Sequence, residues 1–156
     1  MIPIRTATLA DAESIIYHRR SMFFDMGYRD TGALDRMAAA FRPWLQKKMA
    51  AGEYLAWLAT GPDSSVVAGL GLWLMDWPPH LIGGAAPRGN ILNVYTEPEF
   101  RRQGIARRLM EIVLNWCRAN GVPTVILHAS DDGRALYEKL GFRSTNEMRL
   151  LLDENG

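Results

Sequence analysis

Apolar and polar positions alternate along this chain with two different periods, and the switches between them mark out its elements. The clearest helical pattern covers residues 105–119. Ile105, Leu109, Ile112, Val113 and Trp116 form one stripe, and Met110, Leu114 and Cys117 widen it. Arg107, Glu111, Asn115 and Arg118 lie opposite, which predicts a helix packed on a sheet. Residues 34–51 repeat the pattern through Met37, Phe41, Trp44, Leu45 and Met49. Pro43 lies inside that run and predicts a kink or break. An earlier helix, ending near residue 22, is announced by Thr8 and Asp11 at capping-box spacing. Short apolar runs bounded by Gly, Pro or Asn predict strands over 2–7, 54–59, 66–76, 90–96 and 124–128. The 66–76 run is apolar throughout and predicts a central, doubly covered strand. Residues 77–89 read as a loop, 133–140 as a short helix, and 142–152 as strand again.

The predicted order is β-α-α-β-β-β-α-β-α-β, with no repeat or linker. It describes one α/β domain over residues 1–156 with a mixed sheet. Composition narrows the function classes. A formal net charge of +1 argues against a general nucleic-acid binder, and the aromatics do not interleave with basic residues as stacking would require. One cysteine, Cys117, permits no internal disulfide, so a reducing, cytoplasmic setting is expected. His18, His80 and His128 lack metal-ligand spacing, so no metal is expected. No signal peptide is visible, and no apolar run is long enough to predict a membrane span.

Candidate chemistry concentrates before the 105–119 helix. Its start carries Arg101, Arg102, Arg107 and Arg108 around Gly104. Positive charge is unfavourable at a helix N-terminus, where the dipole already supplies about half a positive charge. The backbone amides of residues 102–107 are predicted to lack internal partners. Gly104 and Ala106 remove side-chain bulk, so a ligand can approach that backbone closely. A strand, a glycine turn and a helix N-terminus together predict an anion site suited to a pyrophosphate. A P-loop is excluded because no GK[ST] is present, and Gly69-Leu70-Gly71 lacks the third glycine of a dinucleotide fingerprint.

Arg101-Arg102-Gln103-Gly104-Ile105-Ala106 resembles the acetyl-CoA motif [QR]-x-x-G-x-[GA] of the GNAT N-acetyltransferase superfamily. The strand Ile91-Leu92-Asn93-Val94-Tyr95-Thr96 before it, and the later Ala135-Leu136-Tyr137-Glu138-Lys139-Leu140-Gly141-Phe142, are similar to further segments of that family. The resemblance covers essentially the whole chain. It implies a GNAT-like acyl-CoA N-acyltransferase fold, with a mostly antiparallel sheet splayed between its fourth and fifth strands and flanked by helices. It also implies direct acetyl transfer from acetyl-CoA to a primary amine.

Carried over residue by residue, the resemblance implies main-chain binding of the pantetheine arm at Val94, Tyr95 and Thr96. The pyrophosphate would lie at Arg101, Arg102, Gln103, Gly104, Ile105, Ala106 and Arg107. Tyr137 would protonate the departing thiolate, a role the motif context favours over that of a tyrosine packing a core edge beside Leu136 and Leu140. No base is named by the sequence; Glu97 is the candidate at the strand end. The acceptor, a small-molecule or peptide amine, is expected beside the N-terminal helices and the loop after the third strand. Phe24, Tyr28, Trp77, His80 and Asn93 are the candidate contacts, with Asp25 or Asp30 to attract a cationic amine. The alternative is a non-catalytic acyl-CoA-binding or sensing domain of the same fold. A homodimer is expected if an edge strand from Phe142 onward pairs two subunits.

Overall fold

A computed structural model of the chain describes residues 1–153. Strands β1 (Ile4–Thr6), β2 (Tyr54–Thr60), β3 (Val66–Met75), β4 (Arg88–Thr96) and β5 (Thr124–Leu127) form one sheet in that spatial order. All neighbours are antiparallel except the parallel pair β4–β5. Helices α1 (Ala12–Asp25) and α2 (Thr31–Ala50) cover one face; α3 (Ile105–Ala119) and α4 (Arg134–Lys139) pack on the other. The hydrophobic pattern predicts an α/β domain with a mixed sheet, and the resemblance implies the mostly antiparallel order; the structure has both.

Alternation along β2 builds both cores. Trp57 and Ala59 face α3, while Ala56 and Leu58 face α1 and α2. In α3 the predicted stripe is the buried face: Ile105, Leu109, Met110, Val113 and Cys117 are all buried. Burial of each large side chain contributes roughly 1.5–3 kcal/mol. Cys117 is a core residue, and burial raises its thiol pKa.

Thr8 starts the first helical segment as expected, its amide donating to the Asp11 carboxylate at 2.8 Å. Asp11 also receives both nitrogens of the Arg5 fork at 2.8 Å, which holds its carboxyl down at about 2. Helix α2 begins earlier than the pattern suggests, because the Asp30 side chain caps it by accepting from the Ala33 amide at 3.0 Å. The break expected at Pro43 does not occur. The carbonyl that Pro43 leaves without a donor belongs to Ala39, on the exposed side of α2, while Leu34, Phe41 and Leu45 anchor the opposite face.

The strand expected over 142–152 is absent among the described residues. The segment is without regular structure, and Met148, Leu150, Leu151 and Leu152 are 94, 79, 71 and 89% exposed. A strand needs a hydrogen-bonded neighbour as well as apolar residues, and among the described residues β5, whose other edge is open, pairs only with β4. Between the C-terminal half of α3, β5 and residues 140–143 lies an open groove of about 500 Å³ lined by Leu114, Val122, Val125 and Phe142.

Candidate acyl-transfer site

The site originates in one irregularity of the sheet. Between Gly69 and Gly71 of β3 the register slips: Gly69 faces Tyr95, while Gly71 faces Leu92. β4 therefore carries an extra residue there, and Asn93 takes up the bulge with φ 59, in the left-handed region. Pairing of β4 with β5 stops at Ile91 and Leu127. From Leu92 to Thr96, β4 has no strand beside it on that edge, so the two strands part into a gap.

The ladder decides which main-chain groups face the gap. The Glu97 amide donates to the Val67 carbonyl at 2.8 Å. By antiparallel alternation the polar groups of Tyr95 face β3, and those of Val94 and Thr96 face the open edge. The Thr96 carbonyl is accordingly reached from outside, by Arg101 Nε at 2.8 Å.

A 3-10 turn (Pro98–Phe100) then leads into the arginine loop. Arg102 (φ 61) and Gly104 (φ 77) both adopt the left-handed conformation. Such alternation turns successive amides toward one concavity. Helical hydrogen bonding resumes only with the Arg108 amide, which donates to the Gly104 carbonyl at 3.1 Å. Among the described residues, no amide from Arg102 to Arg107 donates a hydrogen bond. A Cβ at Gly104 would meet nothing within 4 Å, so the loop surface is open. These bare amides sit where β4 leaves its partner, and they fit a diphosphate.

The arginines divide their work. Arg101 turns away from the amides: besides Thr96 it binds Asp25 at 2.6 Å. Arg108 donates to the Ile2 carbonyl at 2.7 Å, and Arg107 pairs with Glu111 at 3.0 Å. Arg102 is exposed beside the amides. Gln103 donates to the Glu99 carbonyl at 3.4 Å, Ile105 is buried, and Ala106 is half-buried.

Tyr137 lies on α4, buried against the cluster that holds Ile105 and edge-on to Phe142. Gly133 makes room for it, since a Cβ there would stand 2.6 Å from the ring. Among the described residues the hydroxyl has no hydrogen-bond partner, and burial raises its pKa. It is therefore protonated at neutral pH. Glu97 is half-buried and receives the Tyr95 hydroxyl at 3.4 Å. Burial, aided by Glu97, pushes Tyr95 up to about 12.

Of the acceptor candidates, Asn93 sits at the bulge, buried. Its Nδ2 donates to Tyr54 Oη at 2.8 Å, and its Oδ1 accepts from Arg19 Nη1 at 2.8 Å. Phe24 and Tyr28 stand exposed at the α1–α2 turn, where Tyr28 meets Phe23 edge-on and Arg29 lies over Phe24. Trp77 lies under Arg88, with the guanidinium 4.3 Å from the ring centroid. His80, exposed in the same loop, accepts from the Ile82 amide at 2.9 Å. The two aspartates expected to attract an amine are otherwise engaged: Asp25 binds Arg101 and Asp30 caps α2.

Sequence reasoning missed the polar cluster under α1. His18, Arg19 and Tyr54 surround Asn93, and the two β3 glycines exist to admit them. A Cβ at Gly71 would stand 1.9 Å from Tyr54 Oη, and one at Gly69 would stand 2.8 Å from His18 Nδ1. The available signal was Arg19 itself, four residues after buried Ile15 and so on the apolar face of α1.

Burial lowers His18 to about 4 from its ordinary 6.5. The unfolded chain then binds a proton that the folded chain refuses between pH 6.5 and 4. Stability accordingly falls with pH across that window, by roughly 1.4 kcal/mol per unit. Urea unfolding at pH 7 and pH 5 should show this drop, and a His18→Gln variant should show a shallower one. Equal slopes would mean that His18 protonates freely in the folded state.

Residues 16–142 match the model of the Acetyltransferase (GNAT) family. Among solved structures, a GCN5-related N-acetyltransferase from Ralstonia eutropha JMP134 superposes with a TM-score of 0.90 at 33% identity, covering 97% of this chain and 99% of that one. A predicted acetyltransferase from Clostridium acetobutylicum, solved with acetyl-CoA, superposes at 0.86 with 26% identity over 97% and 96% of the two chains. Among curated proteins, the glucosamine 6-phosphate N-acetyltransferase of Trypanosoma brucei brucei is 36% identical over 80 residues, which is 51% of this chain and 53% of that protein. The chain thus spans about half the length of that relative. No helix among the described residues is long and apolar enough to cross a membrane. With the parted strands, the bare amides and the family match in place, the chain belongs to the GNAT acetyltransferase family.

Proposed function

We propose that this protein is an acetyl-CoA-dependent N-acetyltransferase of the cytoplasm, passing acetyl directly to the primary amine of a small molecule or peptide. The observation that carries the reading is the row of bare amides from Arg102 to Arg107, opening beside an unpaired stretch of β4. Acetyl-CoA supplies the activated acetyl thioester. The Arg102–Arg107 amides hold its diphosphate, with Arg102 adding charge. Val94 and Thr96 offer main-chain groups to the amide-bearing arm, as an added strand would.

Asn93 and the aromatics Phe24, Tyr28 and Trp77 frame the acceptor side, with His80 at its rim. Glu97 is the proposed base that removes the amine's proton; a lysine-like amine has a free pKa of about 10.4, so this step is required. The amine nitrogen then bonds to the acetyl carbon, the carbon–sulfur bond breaks, and the nitrogen's second proton leaves to solvent, which gives the neutral amide. Tyr137, kept protonated by burial, gives its proton to the departing thiolate. Titration calorimetry with acetyl-CoA tests the reading. Saturable binding, followed by CoA release in a panel of primary amines, supports it; a folded protein that does not bind overturns it.

The reading extends to a homodimer. The exposed Met148, Leu150, Leu151 and Leu152 stand on the chain that carries an open β5 edge and a groove lined by both apolar residues and the arginines Arg118 and Arg143. Exposed apolar side chains in such a run mark an interaction surface. Sedimentation at micromolar concentration should give a dimer, and a Leu150→Asp, Leu152→Asp variant a monomer. A monomeric wild-type protein contradicts this part alone.

A further inference from the structure

Six of the fifteen arginines are matched to acids among the described residues. Arg5 pairs with Asp11, Arg20 with Asp35, Arg42 with Glu13, Arg101 with Asp25, Arg107 with Glu111 and Arg134 with Glu138. Arg19 differs. It is substantially buried, yet among the described residues no carboxylate lies within 4 Å of it. One nitrogen, Nη1, binds Asn93 Oδ1 at 2.8 Å. Nε is sealed from water and has no hydrogen-bond partner. Phe23 and Phe41 hold the guanidinium between their rings, at 5.0 and 4.9 Å from the centroids.

The groups around it carry no compensating charge. Tyr54 and Asn93 are neutral, and neighbouring His18 is buried and uncharged at neutral pH. Burying a cation is costly unless an anion or a full set of hydrogen bonds offsets it. Ring faces offset part of that cost. The remainder is missing from the protein. With Nη1 taken by Asn93 and Nε sealed, Nη2 is the nitrogen left open, and a guanidinium N–H so placed donates a charge-assisted hydrogen bond to an oxygen of a carboxylate or phosphate. Nη2 is not sealed from water, so an entering group can reach it.

The position of this unmatched charge is informative. Among the described residues its one hydrogen-bonded partner is the bulge residue Asn93, at the point where β4 and β5 part. Resting on the acetyltransferase reading above, we propose that Arg19 is the specificity determinant of the acceptor site. The acceptor carries an anionic oxygen group, a carboxylate or a phosphate, within a few bonds of the amine it presents. Arg19 then orients the amine through the far end of the same molecule, while Phe23 and Phe41 keep the guanidinium fixed.

The test is a CoA-release assay on paired primary amines, each carboxylic acid beside its own amide and each phosphate monoester beside its parent alcohol. β-Alanine with β-alaninamide and O-phosphoethanolamine with ethanolamine begin the set. In the wild-type enzyme the anionic member of a pair should be favoured at least tenfold in kcat/KM, and which pair shows it distinguishes carboxylate from phosphate. Arg19→Gln, which can still bond Asn93 but has no charge, should bring the ratio near one through KM, with acetyl-CoA affinity by calorimetry unchanged. Arg19→Lys should restore part of the preference. Equal use of both members by an active wild-type enzyme overturns this inference and leaves the acetyltransferase reading standing. So does an Arg19→Gln enzyme that keeps the preference. Absence of acetyl-CoA binding by the folded protein overturns both.

Discussion

Gly104→Glu should abolish acetyl-CoA binding at concentrations that saturate the wild-type protein, a loss of at least a hundredfold in Kd. Two separate effects add. Gly104 holds φ 77, a conformation that costs a residue with a Cβ about 1–2 kcal/mol. A carboxylate placed among amides that await a diphosphate then replaces attraction by repulsion. Each charge-assisted hydrogen bond lost is worth about 1.5–3 kcal/mol, and about 1.4 kcal/mol is tenfold in affinity. Losing one such bond together with the strain reaches the hundredfold mark. The fold should survive, because a Cβ at this position meets nothing within 4 Å. Gly104→Ala separates the effects: it carries the strain without the charge and should lose roughly tenfold. Calorimetry reads the affinities, and circular dichroism checks that both variants are folded. Wild-type-like binding by Gly104→Glu would remove the diphosphate from this loop.

The frame of the molecule was legible because it is written in periodicity. The stripe on α3 needed only the spacing of Ile105, Leu109 and Val113, and the bare amides ahead of it needed only a glycine before that stripe and a strand before the glycine. The roles of single arginines were not legible. Arg101 and Arg102 are adjacent and identical in the sequence, yet Arg101 is drawn off by Thr96 and by Asp25, an acid 76 positions away in the chain. Nothing local specifies that pairing. Asn93 presents the same difficulty in the backbone. It sits between Leu92 and Val94 with no glycine or proline beside it to announce a bulge, and its φ of 59 is sustained by Tyr54 and Arg19 from two other elements. At residues 142–152 the apolar residues predict a strand that does not form among the described residues. A strand needs a hydrogen-bonded neighbour, and the open edge of β5 is not taken up by this segment.

Tyr137→Phe should lower kcat by 10²–10⁴-fold, the range that a positioned general acid contributes, while acetyl-CoA affinity and stability stay close to wild type. The structure makes this a clean substitution. The hydroxyl has no hydrogen-bond partner among the described residues, so its removal leaves no orphaned group behind. The ring, packed on Phe142 and against Gly133, is retained. Burial alone raises the pKa of this tyrosine, so the proton is held through the neutral range and is surrendered only to a base formed next to it. A departing thiolate, with an ordinary thiol pKa near 8.5, is a weaker base than a tyrosinate, so the proton passes only as the carbon–sulfur bond breaks, and Tyr137 regains one from solvent afterwards. Single-turnover acetyl transfer, measured beside calorimetric binding, divides the readings of this site. A large fall in rate with binding intact assigns Tyr137 to the chemistry. An unchanged rate makes it a packing residue and leaves the thiolate to be protonated by solvent. A wild-type protein that binds acetyl-CoA but transfers acetyl to no amine would be a sensor of the same fold, in which Tyr137→Phe is silent because there is no leaving group to protonate.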